Sequence, residues 1–109
     1  VPHLLPLSRG ILETISVKTA QSRKHKAGNL VGLYKKFYKK EPFVRIKDEG
    51  DFPRLKDVVG TNFCDIGIKE SVDNIIIVST IDNLLKGASG QAVQNMNIMC
   101  GFPEYTGLR

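Results

Sequence analysis

Apolar and polar residues alternate along two segments of the chain, and each alternation predicts a β-strand. In residues 11–18 every second position is apolar except Glu13, which predicts a strand with one apolar face. The second alternation covers residues 63–69 and places Cys64 on the same face as two isoleucines. We therefore expect Cys64 to point into the interior.

A third strand is predicted by a run of β-branched residues, Ile75-Ile76-Ile77-Val78. Such a run is typical of a central strand that is covered on both faces. The turn-forming sequence Ser71-Val72-Asp73-Asn74 precedes it and predicts an antiparallel hairpin with the strand of residues 63–69.

Helical spacing of apolar residues predicts an amphipathic helix that begins after Asn29, a fair N-terminal cap, and ends before Pro42. The polar link of residues 19–28 before it is expected to be solvated. The predicted helix is about three turns long. The residues at this spacing, which we expect to face the core, are Leu30, Leu33, Tyr34 and Phe37.

Shorter patterns complete the fold prediction. Residues 43–46 predict a short strand, residues 48–53 a loop, and residues 56–59 another strand or the approach to one. The order of strand, helix, several strands and helix indicates an α+β fold, with helices packed on an antiparallel or mixed sheet.

The last helix carries almost no charge, since no ionisable acid or base occurs between Lys86 and Glu104. A solvated helix usually carries charged residues on its outer face, so this helix is predicted to lie between two packed bodies. We expect its carboxamides, Gln91, Gln94 and Asn95, mostly to contact a neighbouring domain, and the tail after Pro103 to dock on something outside this chain. Residues 1–86 are thus predicted to form one partial domain, and residues 87–109 its interface with another.

Charge adds a second hypothesis. The chain has a net charge of +5, and its 109 residues leave room for one domain. No acid occurs between Glu13 and Glu41, whereas eight basic residues do. Such a patch could attract phosphates or nucleic acid. A small basic nucleic-acid-binding module is therefore one alternative function, although the core spacing of Tyr34 and Phe37 argues against a base-stacking platform. A non-catalytic interaction protein is another.

Cysteine content and hydropathy narrow the class of protein. Two distant cysteines and no Cys/His cluster favour reduced thiols in a cytoplasmic protein and give no metal-site pattern. No apolar stretch is long enough to span a bilayer. The chain has no initial methionine, which suggests a piece of a longer protein.

Four motifs in order then resemble the carboxyl-terminal portion of the N-acetyl-gamma-glutamyl-phosphate reductase family, of arginine biosynthesis. The matching segments are Val1-Pro2-His3-Leu4-Leu5-Pro6 with Ser8-Arg9-Gly10-Ile11, Gly60-Thr61-Asn62-Phe63-Cys64-Asp65-Ile66-Gly67, Ile81-Asp82-Asn83-Leu84 with Lys86-Gly87-Ala88, and Gly90-Gln91-Ala92-Val93-Gln94-Asn95-Met96-Asn97 with Gly101-Phe102-Pro103-Glu104. The resemblance implies a fold similar to the carboxyl-terminal domain of glyceraldehyde-3-phosphate dehydrogenase-like enzymes.

The same resemblance implies a cofactor site for NADP(H), held mainly by a nucleotide-binding domain that precedes this sequence. Asn83 matches an asparagine that hydrogen-bonds the nicotinamide carboxamide in the wider fold family. A strand end followed by the Gly87–Gly90 turn and a helix is suited to such a ligand, and makes Gly87, Lys86 and Gln91 further candidates. The residues alone favour simpler roles than cofactor binding. Asp82 and Asn83 would be ordinary helix caps, and Lys86 would be solvated.

Substrate contacts are implied at the amino-terminal end. Arg9 could bind the acyl phosphate with its guanidinium fork, or pair with Glu13, and His3 could contribute or be an ordinary edge histidine. The resemblance further implies a homodimer or homotetramer formed by sheet packing. It also implies a catalytic cysteine, which is expected in sequence that would precede this chain. Cys64 is not expected to replace it, because Cys64 has no basic neighbour in sequence. The isolated chain is therefore expected to be inactive.

Overall fold

The computed structural model describes residues 1–3, 6–18 and 30–109. The predicted link of residues 19–28 and the cap at Asn29 lie outside these ranges. The elements are β1 (Pro2–His3), β2 (Ile11–Lys18), α1 (Leu30–Phe37), β3 (Val44–Ile46), a 3-10 helix (Leu55–Asp57), β4 (Cys64–Glu70), β5 (Asn74–Ile81), a π-helical turn (Leu85–Ser89) and α2 (Gly90–Cys100).

Five strands form one mixed sheet in the order β1-β2-β5-β4-β3. All neighbours are antiparallel except β3 and β4, which are parallel. The predicted α+β class is confirmed. As the isoleucine run predicted, β5 is the central strand, but it is not covered on both faces, since every residue in it except Thr80 is only half-buried. The hairpin between β4 and β5 is closed by the Ser71 N–H, which donates to the Asn74 carbonyl oxygen at 2.8 Å.

Of the two alternatives predicted for residues 56–59, the extra strand is wrong, and the segment belongs to the approach to β4. Residues Leu55–Asp57 form a 3-10 helix instead, and Val58 directly after it is fully buried. This segment covers one side of the sheet, because the Asp57 carbonyl oxygen accepts a hydrogen bond from Arg45 on β3 at 3.0 Å. A single buried valine in a short helical turn does not need strand pairing to reach the core.

The register divides the sheet into two faces. Ile15 of β2, Ile77 of β5 and Ile68 of β4 lie directly opposite one another and define the isoleucine face. The other face is covered by the segment before β4: a side chain at Gly67 would come within 2.7 Å of Pro53. We call it the loop face. Asp65, on the loop face, is fully buried, whereas Cys64 on the isoleucine face is only half-buried. The expectation of an inward Cys64 is therefore met only in part.

Asp65 is paired within the loop face. Its two carboxylate oxygens accept hydrogen bonds from Arg45 Nε at 2.6 Å and from an Arg45 terminal nitrogen at 2.9 Å. Lys47 Nζ lies 3.9 Å from the same carboxylate. The Arg45 guanidinium also lies over the Phe63 ring, 4.1 Å from its centroid. This bidentate pair, joining the edge strand to its neighbour, supplies the partners that a buried charge requires.

The apolar core is small. Among the described residues only Phe43, Val58 and Ile68 are fully buried hydrophobic residues, against six buried polar or charged ones. Large apolar side chains instead remain accessible on the isoleucine face, where Ile11, Ile15 and Val17 are 38%, 39% and 43% exposed. Since 41% of the chain is hydrophobic, much of its apolar surface stays open to a partner.

Helix α1 is rotated relative to the prediction. Leu33 and Phe37 are 59% and 78% exposed, so their expected core position is wrong. Tyr34 is half-buried and Tyr38, just after the helix, packs edge-on against Phe37. The helix is also two turns long and not about three. Among the described strands, α1 packs mainly on β3 and β4. One narrow stripe of the helix is enough to cover them.

Helix α2 and the tail form a unit within this chain. Asn97 is 1% exposed, and its Nδ2 donates to the carbonyl oxygens of Glu104 and Thr106 at 3.0 and 2.9 Å. The Asn62 N–H donates to the Arg109 carbonyl oxygen at 2.6 Å. The tail, expected to dock outside the chain, is thus bonded to the chain itself. The outer side of α2 is apolar and open, with Met96 and Met99 50% and 85% exposed.

Candidate functional site

The carboxyl end of β5 meets the start of β2, and two of the residues predicted to bind substrate or cofactor, Arg9 and Asn83, come together there. Asp82, immediately after β5, is fully buried. Its Oδ1 accepts the N–H of Leu84 at 2.8 Å and of Leu85 at 3.3 Å, and its Oδ2 accepts the N–H of Gly60 at 2.8 Å. Asp82 therefore caps the turn that follows β5, as its residue type predicted.

Asp82 is ionised in this position. Burial alone would raise the pKa of its carboxyl, but hydrogen bonds from Gly60, Leu84 and Leu85 and the charge of Arg9 outweigh burial and lower that pKa. The Asp82 carboxylate thus remains a fixed negative charge at neutral pH. It faces the segment that carries Arg9.

Arg9 pairs with Asp82 and not with Glu13. A terminal nitrogen of Arg9 lies 2.8 Å from Asp82 Oδ2. The Arg9 side chain is 37% exposed, so the residue is not closed off from solvent by its pair with Asp82. The alternative ion pair with Glu13 is therefore not the one formed, while the predicted role of Arg9 in substrate binding stays a prediction.

Asn83 joins the same junction. Its Oδ1 accepts the Gly10 N–H at 2.8 Å across 73 residues of sequence. Gly10 has a φ of +107°, a backbone conformation that strongly favours glycine, and its α-carbon lies close to the Leu55 side chain. Because an N–H needs an oxygen acceptor, this bond orients the Asn83 amide and leaves its nitrogen as the available donor. The residues present thus fit a ligand carbonyl, such as that of a carboxamide.

Lys86 and Gly87 are engaged within the chain. Lys86 Nζ donates to Gln94 Oε1 at 2.8 Å and lies 5.7 Å from the Phe43 ring centroid. Burial lowers the pKa of Lys86, and the nearby Cys64, Glu104 and Glu41 oppose that shift. The Gly87 N–H donates to the Asp82 carbonyl oxygen at 3.0 Å.

Cys64 consequently has a basic neighbour in space that the sequence did not show, since Lys86 interacts with it electrostatically. Its Sγ lies 3.5 Å from Ser79 Oγ. Cys64 has no basic residue beside it in sequence, as predicted, and Lys86 comes near it only through the fold. Among the described residues, however, no group of three or more His, Cys, Asp or Glu side chains is arranged to hold a metal ion.

The three predicted carboxamides of α2 separate. Gln94 is buried: its Oε1 also accepts Asn62 Nδ2 at 2.9 Å, and its Nε2 donates to Glu104 Oε2 at 2.7 Å. Its expected contact with a neighbouring domain is thus replaced by contacts inside the chain. Gln91 Nε2 and Asn95 Oδ1 bond to each other at 2.8 Å on the accessible side of the helix. Only these two remain free to face a partner.

His3 lies on β1, where its ring bonds to Thr14 of β2 and not to the residues around Asp82. Its Nε2 lies 2.8 Å from Thr14 Oγ1, on an exposed edge of the sheet. This is the arrangement of an edge histidine with a satisfied ring nitrogen, while a substrate role for His3 stays a prediction.

Sequence reasoning missed the contribution of the turn before β4. Gly60 has a φ of +80°, which turns its N–H toward Asp82, and Asn62 supports α2. The sequence signal was the glycine in Gly60-Thr61-Asn62, which marks a backbone position that favours glycine.

Within the described ranges, no helix has both the length and the hydropathy needed to cross a membrane.

Comparisons with known proteins agree with this architecture. Residues 1–83 match the family model of the semialdehyde dehydrogenase dimerisation domain. The chain is 57% identical to an N-acetyl-gamma-glutamyl-phosphate reductase of Geobacter sp. (strain M21), over 98% of this chain and 31% of the relative. Reductases of the same name from Geobacillus stearothermophilus and Staphylococcus saprophyticus are 52% and 51% identical over the same shares.

The chain spans about a third of the length of these curated relatives, at 31%. The family match covers 83 residues, which is well over half of the chain, and includes β1 to β5 and the junction at Asp82 and Asn83. The chain belongs to the semialdehyde dehydrogenase family, whose dimerisation domain it carries.

Proposed function

We propose that this chain is the carboxyl-terminal, dimerising part of an NADPH-dependent reductase that converts N-acetyl-gamma-glutamyl phosphate to N-acetyl-glutamate semialdehyde. The observation that carries the proposal is the junction at the end of β5, where Arg9 and Asn83 are held by 2.8 Å bonds in a sequence 57% identical to such a reductase. The nucleophilic cysteine and most of the nucleotide site belong to the remaining two thirds of the enzyme. The protein acts in arginine biosynthesis in the cytoplasm.

Each residue of the junction has a task in this reaction. Arg9 binds the phosphate or carboxylate of the substrate with its exposed N–H groups. Asn83 donates its free amide nitrogen to the nicotinamide carboxamide, which orients the ring. NADPH supplies the hydride when it is bound. Gln91, on the accessible side of α2, is a second cofactor contact, while Lys86 and Gly87 support the site from inside the chain.

The accessible side of α2 packs against the nucleotide-binding domain. This side exposes apolar residues, above all Met96 and Met99, and carries no charged residue. Its carboxamides Gln91 and Asn95 are hydrogen-bonded to each other. An uncharged helix surface is costly to leave in water and cheap to bury. Residues 87–109 thus form the interface that joins this chain to the rest of the enzyme.

A chimera tests the proposed activity. We expect that replacing the corresponding third of the Geobacter sp. (strain M21) reductase with this chain yields an enzyme that oxidises NADPH in the presence of the acyl phosphate, whereas the 109-residue chain alone does not. In the chimera, Asn83→Ala should raise the KM for NADPH about tenfold, because one hydrogen bond to the cofactor is lost. Asp73→Ala, at an exposed turn between β4 and β5, should leave it within about twofold.

The activity assignment fails if the folded chimera, dimeric and with a native circular dichroism spectrum, shows no NADPH oxidation. It also fails if the 109-residue chain alone turns over the acyl phosphate. Measured initial rates at saturating substrate separate these outcomes from a simple loss of affinity.

The isoleucine face is proposed as the surface on which a second copy of the chain packs. Ile11, Ile15 and Val17 of β2 are each more than a third exposed, on the same face as the half-buried Ile75 and Ile77 of β5. Two such faces related by a two-fold axis are self-complementary, which is the usual geometry of a homodimer. The matched family model describes a dimerisation domain.

We expect Ile15→Glu to convert the dimer to a monomer, because the substitution places two desolvated carboxylates in the interface. Ser16→Glu is the matched control: it adds the same charge at the next position of β2, on the loop face, and should leave the dimer intact. Sedimentation equilibrium over a range of concentrations measures both. A monomeric unsubstituted chain, or equal dissociation by both variants, contradicts the assignment of this face.

A further inference from the structure

We propose that Asp82 is a positioning residue, whose carboxylate fixes the Arg9 guanidinium in the orientation that binds the anionic group of the substrate. The inference rests on the proposed function, which assigns Arg9 to the substrate. It adds a residue that touches neither substrate nor cofactor but determines where Arg9 points.

Arg9 is anchored through one nitrogen while its side chain as a whole stays partly exposed. One terminal nitrogen is bound to Asp82 at 2.8 Å, and Arg9 Nε is buried without a hydrogen-bond partner among the described residues. The Arg9 side chain is nevertheless 37% exposed. A guanidinium carries five N–H donors, so one bond to Asp82 leaves others for an anion while restricting rotation of the planar group.

Asp82 itself is held rigidly. Three backbone N–H groups, from Gly60, Leu84 and Leu85, bind its two oxygens in addition to Arg9. These donors come from two separate segments, the turn before β4 and the turn after β5. A carboxylate with this many fixed partners, and with no exposed surface, cannot follow a moving guanidinium. Arg9 must therefore adopt the orientation that Asp82 sets.

The backbone beside Arg9 is fixed by the same strand end. The N–H of Gly10 donates to Asn83 Oδ1 at 2.8 Å, so two consecutive residues of one segment bond to two consecutive residues of the other. Asp82 orients the anion-binding side chain, and Asn83 holds the main chain that carries it. The spacing between the anion site and the proposed nicotinamide contact is thereby set by residues 82 and 83.

Neutralising Asp82 distinguishes positioning from simple electrostatics. Removing a negative charge near Arg9 should strengthen anion binding if charge alone matters. If Asp82 positions Arg9, Asp82→Asn should instead weaken binding of inorganic phosphate about tenfold, the scale of one charge-assisted hydrogen bond. The dissociation constant is measured by NMR titration, following the Gly10 backbone amide. Asp73→Asn makes the same charge change at an exposed turn and should not weaken binding.

Arg9→Gln separates a failure of this inference from a failure of the proposed function. If Arg9→Gln leaves phosphate binding at Gly10 unchanged, Arg9 is not the anion residue, and both the substrate assignment and the role of Asp82 fall. If Arg9→Gln weakens binding but Asp82→Asn strengthens it or leaves it unchanged, the substrate assignment stands and positioning by Asp82 is overturned. Weaker binding in both variants supports the proposal.

A measurement on the unsubstituted chain avoids any question of whether Asp82→Asn folds. At neutral pH the Arg9 guanidinium should show slow exchange of its Nε proton with water and separate signals for its two terminal nitrogens, because rotation is blocked by Asp82. Since the pKa of Asp82 is lowered, this state should persist on acidification until the pH falls below the ordinary aspartate range. Averaged terminal signals at neutral pH would overturn the proposal.

Discussion

Replacing Arg45 with methionine is expected to lower the free energy of unfolding by about 3 kcal/mol, because it leaves the buried Asp65 carboxylate without its main partner. Arg45 supplies two bonds to Asp65, at 2.6 and 2.9 Å, and after its loss the nearest cation is Lys47 at 3.9 Å. Methionine retains much of the aliphatic length of arginine, so the loss reports the polar contacts of Arg45, to Asp65 and to the Asp57 carbonyl oxygen, more than packing. Urea unfolding followed by circular dichroism measures the change.

Arg54→Met provides the matched control. Arg54 pairs with Asp57 three residues later at 3.1 Å, but its side chain is 65% exposed. An exposed pair contributes about 0 to 1 kcal/mol, so this variant should unfold close to the unsubstituted chain. The double variant Arg45→Met/Asp65→Leu should recover stability relative to Arg45→Met, since it removes the unpaired buried charge. The Arg45 side chain is itself 42% exposed, but its partner Asp65 is fully buried. Equal effects of Arg45→Met and Arg54→Met would contradict the role assigned to this pair.

The strands could be predicted from the sequence because their signal is local. The bounds of β2 coincide with the predicted alternation at residues 11–18, and the β-branched run lies inside β5. Each pattern reports which side of a single strand is apolar, and a sheet satisfies it whatever the neighbours are. The alternation did not reveal that Asp65, the polar residue between Cys64 and Ile66, is the more deeply buried one. Its partner Arg45 lies 20 residues earlier in the chain, beyond any periodic pattern.

The orientation of α1 could not be predicted for a related reason. Helical periodicity shows that Leu30, Leu33, Tyr34 and Phe37 lie near one side, but not which part of that side meets the sheet. Here the edge of the stripe with Leu33 and Phe37 is left exposed. The helix packs mainly on β3 and β4 and leaves the apolar residues of β2 uncovered, so the rest of its own apolar stripe also stays exposed.

Only part of the candidate site could be predicted from the sequence. Asp82 and Asn83 are ordinary caps by residue type, and Asp82 does cap the turn after β5. That Asp82 also binds Arg9, and Asn83 binds Gly10 across 73 residues, depends on the antiparallel pairing of β2 with β5. The register that places Ile11 opposite Ile81 brings the residues just outside both strand ends together. A local sequence window does not contain this information.

The uncharged character of α2 has two different physical origins. On the inner side, Gln94 and Asn97 replace charged residues because they must satisfy carbonyls and side chains of the same chain, and a carboxamide does so with less desolvation cost. On the outer side, Met96 and Met99 are open to solvent. Sequence composition could not separate the two sides, since both lack charge. Only the tail, which folds back on α2, shows which carboxamides are internal.

Replacing Asn97 with alanine is accordingly expected to detach the tail and lower the free energy of unfolding by about 2 kcal/mol, because two carbonyl groups lose their donor. Asn97 is 1% exposed and bonds the carbonyls of Glu104 and Thr106. Hydrogen exchange at the Asn62 amide, which donates to the Arg109 carbonyl oxygen, reports tail docking directly. That amide should exchange at least tenfold faster in the variant, as expected for loss of a local protected state.

Asn95→Ala tests whether the effect belongs to the buried position and not to the loss of an asparagine from α2. Asn95 is exposed, and its side chain bonds to Gln91 on the accessible side of the helix. Alanine has the higher helix propensity, so this variant should be as stable as the unsubstituted chain or slightly more stable, and exchange at Asn62 should not change. If Asn97→Ala instead leaves Asn62 protected, the tail is held by other contacts, and the bonds from Asn97 to Glu104 and Thr106 do not fix its position.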